Sequence, residues 1–317
     1  MSPSANSSSV HVTLEDLMLL QHRTRGAFSF LPRQPVHSLL AGRHASRIRG
    51  RGLNFEELRG YLPGDDVRAI DWKATARTGH PHVRVFTEER DRPALLVVDQ
   101  RMSMFFGSRL NMKSVTAAEA AAIAAFRILD AGDRVGGVVF DDDEHVEFVP
   151  RRSQRTVYGL LEAVTEMNQD LHADKTVDAR PGSLNDILRS VARIAHHDHL
   201  VLIFSDFDGI DEHTHRHLNG IAQHNDIIAM LVYDPMAEGL APGQRAVIGD
   251  SRMQAEVDLG SEATRTAISG FSRQRLERIY QWQTEINLSV LPLSAGEPTL
   301  AQIRRLTGGI APRRKVR

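Results

Sequence analysis

Residues 94–104 read A-L-L-V-V-D-Q-R-M-S-M, and the fold follows from how this stretch is read. Leu95, Leu96, Val97 and Val98 form an apolar run with no polar alternation, the pattern of a strand buried on both faces. The run ends in Asp99. In open α/β sheets, ligands bind in the crevice outside the carboxyl ends of the strands. Asp99 is therefore placed where recognition or chemistry would occur, with a hydroxyl, Ser103, four residues on.

Downstream, the pattern repeats as strand, helix, strand. Lys113 to Ala131 reads as a helix whose alanines allow close approach to a sheet, with Gly132 ending it. Strands are expected at Arg134–Phe140, His145–Val149 (an edge strand after the acidic turn Asp141–Asp143), Leu200–Phe204, Asp226–Tyr233 and Leu288–Leu293. Helices are expected at Ser153–Met167, Leu184–Ala195, Glu212–His224, Glu262–Glu285 and Pro298–Leu306. A short strand at Met253–Val257 falls in a Gly/Pro-rich insertion. This alternation implies a mostly parallel sheet covered on both faces.

Upstream, Thr13 N-caps a first helix, and residues 23–52 read as loop with one short helical piece at His37–Leu40. Residues 49–92 interleave acids with arginines and aromatics. Arg59, Asp65, Asp66, Arg68, Asp71 and Trp72 are expected to form a structural lock of partly buried Arg–carboxylate pairs under aromatic cover. Loss of Arg68 from such a pair would cost about 3–5 kcal/mol. The acids oppose a phosphate backbone, which argues against nucleic acid. The expected organisation is a disordered tail (1–10), an N-terminal extension (11–92), the α/β domain (93–310) and a basic tail (311–317).

With 317 residues, 41% of them hydrophobic, and a formal net charge of −1, the chain has the composition of a soluble globular protein with no global field toward nucleic acid or membrane. Cysteine is absent, which excludes disulfides and thiolate metal sites and fits a cytoplasmic setting. No run reaches the roughly 20 apolar residues of a membrane span.

Asp99 and Asp206 end two central strands, with Ser103 and Ser205 beside them, and Ser183 opens a helix. This oxygen-rich set suits a hard cation such as Mg²⁺. The order Asp-x-x-x-Ser, then a hydroxyl after a glycine, then Asp after a strand resembles the metal-ion-dependent adhesion site of von Willebrand factor A domains. Asp99, Ser103, Ser183 (where that family usually has Thr) and Asp206 match it. The stretch N-F-E-E-L-R-G-Y-L-P-G-D-D-V-R-A-I-D-W, with Arg77, Arg84 and F-T-E-E-R, resembles the bacterial family called domain of unknown function 58. That resemblance implies a von Willebrand A-like, doubly wound, mostly parallel sheet with helices on both faces, plus the N-terminal extension. It also implies a MoxR-type AAA+ ATPase as partner, in an adaptor or assembly-chaperone role, with the client unknown.

One position departs from the pattern. Arg101 stands where the middle serine of the motif belongs, and a guanidinium cannot ligate a cation. Either Arg101 points away and leaves a weakened metal site, or it occupies the site in place of metal; the second is favoured. No cofactor is then expected, or weak Mg²⁺ at most. Arg101, Met104, Phe105, Phe106 and Asp208 are the expected partner-binding residues, with Arg101 accepting a partner carboxylate. The enzymatic alternative takes Asp206-Phe207-Asp208-Gly209 as the nucleophile motif of a Mg²⁺-dependent phosphatase or hydrolase.

Overall fold

The computed structural model describes residues 9–24, 53–63, 65–88, 92–174, 183–238, 245–250, 253–258, 275–286 and 288–307. The chain divides into two compact units, residues 33–91 and residues 1–32 with 92–317. The expected helical piece at His37–Leu40, the basic tail 311–317, most of the N-terminal tail and the first half of the helix expected from Glu262 lie outside the described residues.

The larger unit is built on a six-stranded sheet. Its strands are β3 (Ala94–Asp99), β4 (Val135–Phe140), β5 (His145–Arg151), β6 (Leu200–Ser205), β7 (Asp226–Tyr233) and β10 (Ser289–Ser294), in the spatial order β10-β7-β6-β3-β4-β5. All neighbours pair in parallel except β5, which runs antiparallel to β4 at the edge. The apolar run ending in Asp99 is the central β3, buried at every residue. Its pleat serves both faces. Leu96 and Val98 join a core with α1 (Leu14–Thr24), α3 (Lys113–Asp130), α4 (Gln154–Gln169) and α8 (Thr299–Thr307). Leu95 and Val97 join the opposite core with α5 (Ser183–Ile194), α6 (Glu212–Ala222) and the helical residues 275–285, here α7. The chain is thus α/β, with a mostly parallel central sheet and helices on both faces. The helix α1, grouped by sequence with the N-terminal extension, belongs to this unit.

The composition of α3 explains its place. Its seven alanines from Ala117 to Ala125 are all buried, so the helix axis lies close to the sheet. Across β4 the approach is closer still. A Cβ on Gly137 would meet Leu160 Cδ1 and the Leu96 carbonyl oxygen, each at 2.5 Å. A side chain here would collide with the fixed β3 backbone as well as with the Leu160 side chain of α4, so the position calls for glycine.

A chain of buried amides ties the N-terminal segment to this core. The Val12 N–H donates to Asn168 Oδ1 (2.8 Å), Asn168 Nδ2 donates to Gln100 Oε1 (2.9 Å), and Gln100 Nε2 donates to the Ser114 carbonyl (3.2 Å). A two-stranded antiparallel ribbon, β8 (Arg245–Asp250) and β9 (Met253–Asp258), follows β7; only its second strand was anticipated. Among the described residues no helix is long and apolar enough to cross a membrane.

The smaller unit holds an antiparallel hairpin, β1 (Leu53–Gly60) with β2 (His82–Glu88), bulged between Phe55 and Glu57. Between its strands lie a 3₁₀ turn, Val67–Ala69, and α2 (Trp72–Thr78). Asp66 caps the turn through the Arg68 N–H, and Asp71 caps α2 through the Lys73 and Ala74 N–H groups. Arg59 and Asp65 form the expected fork, at 2.8 and 2.7 Å. The rest of the expected lock is corrected. Trp72 is 68% exposed rather than covering a pair, and Arg68 is exposed. The carboxylates nearest Arg68 in sequence are turned onto backbone N–H groups, which removes the buried partner its loss would have orphaned.

Candidate functional site

The parallel strands β3 and β6 are neighbours, and the connections leave them in opposite directions, toward β4 on one side and β7 on the other. Such a reversal point opens a crevice at the carboxyl ends of the strands. Asp99 ends β3, and Ser205 ends β6 with Asp206 immediately after it.

Asp99 is fully buried, and Arg101 folds back onto it. Arg101 Nε lies 3.0 and 3.2 Å from the two carboxylate oxygens, and its Nη2 lies 2.8 Å from Oδ2. The Arg101 backbone N–H donates to Asp99 Oδ1 as well (3.0 Å), and Ser205 Oγ donates to Oδ2 (2.6 Å). The remaining guanidinium nitrogen, Nη1, reaches the Asp208 carbonyl at 3.3 Å, and the Phe140 ring lies beneath the guanidinium at 5.7 Å. Burial works to lower the Arg101 pKa. The Asp99 carboxylate, with Asp206 and Asp208 behind it, more than offsets this and holds it above its ordinary value.

Asp206 is 4% exposed and lies 4.0 Å from Arg101. Ser103 Oγ donates to its Oδ1 (3.3 Å) and Lys113 Nζ sits 2.5 Å from its Oδ2. Arg275, at the described start of α7, pairs with Asp208 and lies 3.9 Å from Asp206 Oδ2. Burial pushes the Asp206 pKa up, but Lys113 first, then Arg275 and Arg101, pull it well below the usual carboxylate range. The loop bends through Phe207 at φ 55°, a left-handed conformation that a buried aromatic rarely takes; the Phe207 N–H donates to Ser205 Oγ (2.8 Å). On the other flank, Asp142 accepts the Met102 N–H at 2.6 Å. Burial raises the Asp142 pKa, and that bond and Arg101 offset only part of the rise.

Four of the expected residues thus converge: Asp99, Arg101, Ser103 and Asp206. The side chain of Ser183 lies outside the described residues; its backbone opens α5. Two expectations for partner binding are corrected. Met104 is fully buried within the core that includes α3, and its sulfur accepts the Asp206 N–H at 3.3 Å. Arg101 is 7% exposed with its fork spent on Asp99, so it offers no free face to an incoming carboxylate. Phe105 and Phe106 are half-buried, Phe105 stacking on His11, and Asp208 is partly exposed beside Arg275.

Sequence reasoning missed Lys113, Arg275 and Asp142. Lys113 carried a signal: a cation in the first turn of a helix opposes the helix dipole and needs a compensating acid. Arg275 sits among other charged helix residues and carried none.

The donor set does not fit a divalent cation as it stands. A cation at this crevice would need the oxygens of Asp99 and Asp206, and a guanidinium and an ammonium already hold them. Among the described residues no group of three or more His, Asp or Glu side chains is arranged for a metal.

The matches to known proteins agree with the upstream signature. The family model described as "Protein of unknown function DUF58" matches residues 57–278, more than half of the chain. Uncharacterized protein Mb1516 of Mycobacterium bovis and uncharacterized protein Rv1480 of Mycobacterium tuberculosis are each 32% identical over 203 residues, 64% of this chain. The chain spans 62% of the length of these relatives. Among solved structures, conserved hypothetical protein BatB from Bacteroides thetaiotaomicron aligns over 69% of this chain and 98% of its own, at 10% identity and a TM-score of 0.39. An uncharacterized membrane spanning protein from Vibrio fischeri aligns over 69% and 100%, at 16% identity and a TM-score of 0.19. Scores at this level establish no common fold. The family match does not depend on them: the chain belongs to the DUF58 family of proteins of unknown function.

Proposed function

We propose that the larger unit is a von Willebrand A-like interaction module whose metal-ion-dependent adhesion site is occupied by its own arginine. In this reading it works in the cytoplasm, without catalysis, as an adaptor or assembly-chaperone partner of a MoxR-type AAA+ ATPase. The observation that carries the reading is the Arg101 fork on Asp99 at the reversal point of the sheet. Its charge takes the place that a cation would hold between Asp99 and Asp206. The sheet order supports the same reading: numbered along the chain, its strands lie 3-2-1-4-5-6, with the third antiparallel. The docking surface is then the rim of the crevice, Phe105, Phe106 and Asp208 with Arg275, rather than Arg101 itself.

Two measurements test this. Magnesium titration by calorimetry should give little or no heat with the wild type. Arg101→Ser should bind at least roughly tenfold tighter, because a like charge about 4 Å away opposes a cation by several kcal/mol even at an effective dielectric constant near 20. Equal, tight binding by both proteins would sink the arginine-plug reading. For docking, Phe106→Glu and Asp208→Lys should lose pull-down of the ATPase while keeping their melting temperatures. Undiminished capture would remove the rim as the docking surface. A phosphatase assay on the same proteins tests the alternative. Asp206 is engaged by Lys113 and Ser103, so we expect no turnover of a generic phosphate ester; metal-dependent turnover abolished by Asp206→Ala would replace the adaptor reading with the hydrolase.

A further inference from the structure

Among its described side chains the smaller unit exposes more large apolar groups than it buries. Among its described residues Ala74 and Val83 are the buried apolar side chains, while Leu58 (40%), Leu62 (61%), Val67 (59%) and Trp72 (68%) face water. All four exposed residues fall within fifteen positions along β1, the turn and the start of α2. Scattered exposed leucines need no explanation, but a cluster led by a tryptophan does.

The charges around it are sorted as well. The sequence gives this segment both signs, which argued against an anionic partner. In the structure the three aspartates whose side chains are described are engaged internally: Asp65 by the Arg59 fork and the Leu62 N–H, Asp66 by the Arg68 N–H, Asp71 by the Lys73 and Ala74 N–H groups. The side chains of Arg68, Lys73 and Arg77 are exposed, and none holds an ion pair among the described residues. Lys73 and Arg77 are four residues apart on α2 and share a face. Trp72 adjoins Lys73, and Val67 adjoins Arg68 on the turn before it. Over these described residues, what reaches solvent is apolar surface set between cations that hold no ion pair among them.

We infer that this face, independently of the crevice, binds an acidic protein segment that carries apolar anchor side chains. Leu62 and Val67 offer no stacking plane to a base. Asp65, Asp66 and Asp71 lie in the same segment as the cations, so a continuous anionic array, whether a phosphate backbone or a lipid headgroup layer, would meet carboxylates as well as the cations. A protein segment can set carboxylates against Arg68, Lys73 and Arg77 alone and place an apolar side chain on Trp72.

Tryptophan itself gives the readout, because the chain has two, Trp72 and the buried Trp282. In the Trp282→Phe variant of this chain the emission reports Trp72 alone. Iodide should quench it in the free protein. A synthetic amphipathic peptide with Leu and Phe anchors flanked by glutamates should blue-shift it and protect it. Read by a labelled peptide in the wild-type background, Trp72→Ala and the pair Arg68→Glu with Arg77→Glu should each weaken binding roughly tenfold or more. The same peptide with lysines for glutamates should not bind. Protection from iodide in the free chain would overturn the inference by showing that the face is already covered. So would binding unchanged in the variants, or failure of the acidic peptide while oligothymidylate or phosphatidylglycerol vesicles bind through the same residues.

Discussion

Among the described residues two arginines fork onto an aspartate at similar distances in opposite surroundings, Arg101 side-on through Nε and Nη2 and Arg59 end-on through Nη1 and Nη2. Arg101 holds Asp99 at 2.8–3.2 Å with side chains 8% and 0% exposed, and Arg59 holds Asp65 at 2.7–2.8 Å with side chains 38% and 19% exposed. Distance does not separate them; water does. In the buried fork both ions have lost their hydration, and each is tolerable only because the other is there. In the outer fork each ion has water as a substitute partner, and salt screens what remains. The buried fork therefore works as a fixed charge inside the fold, and the outer one as a tether for the turn that follows β1.

The largest effect should come from cutting the buried fork on one side. Arg101→Ala leaves Asp99 buried without a counter-ion and should cost about 3–5 kcal/mol in urea unfolding, whereas adding Asp99→Asn to Arg101→Ala should recover much of that. A loss no larger than that of Arg59→Ala would erase the distinction between the forks.

Acid should come next. The pKa of Asp206 is depressed by folding, so its contribution to stability is complete above the ordinary carboxylate value of 3.8 and is lost as pH falls from there through the folded value. The urea midpoint should fall as pH drops below about 4, and Lys113→Met, which removes the main cause of the depression, should flatten that fall. An equally steep fall in the variant would show that Lys113 does not hold Asp206.

Arg59→Ala should be milder and should lose most of its effect in molar salt, while the cost of Arg101→Ala persists. The smallest effect is expected at Arg68. Its side chain is exposed, so Arg68→Ala should change stability by no more than about 0.5 kcal/mol, against the 3–5 kcal/mol that a buried pair would have implied.

The sheet was legible because β3, β4, β6 and β7 are apolar runs of six to eight residues that end in or just before a carboxylate, and buried parallel strands leave that pattern. The site was legible as far as its two acids and the odd arginine, which share short local motifs. What brings Lys113, Arg275 and Asp142 to those acids is the sheet order, and no local spacing encodes that. The hairpin strands β1 and β2 escaped notice because L-N-F-E-E-L-R-G breaks its alternation at the bulge between Phe55 and Glu57. Met104 was misplaced for a related reason: in M-S-M-F-F nothing local says which apolar residue turns inward.

The amide chain from Val12 to Ser114 has a polarity. Each link donates in the same sense, backbone N–H to Asn168, Asn168 to Gln100, Gln100 to the carbonyl at the start of α3. Turning either side-chain amide over would set donor against donor at one end and acceptor against acceptor at the other. Turning both together would repair only the link between them, because the chain begins at a fixed backbone donor and ends at a fixed backbone acceptor; each amide is therefore held in one orientation, and Asn168→Asp, which keeps the shape but removes the donor, breaks the sequence at its middle. Gln100 lies between Asp99 and Arg101 in the chain, so this fixed polarity links the residues just before α1 to the loop that carries the arginine.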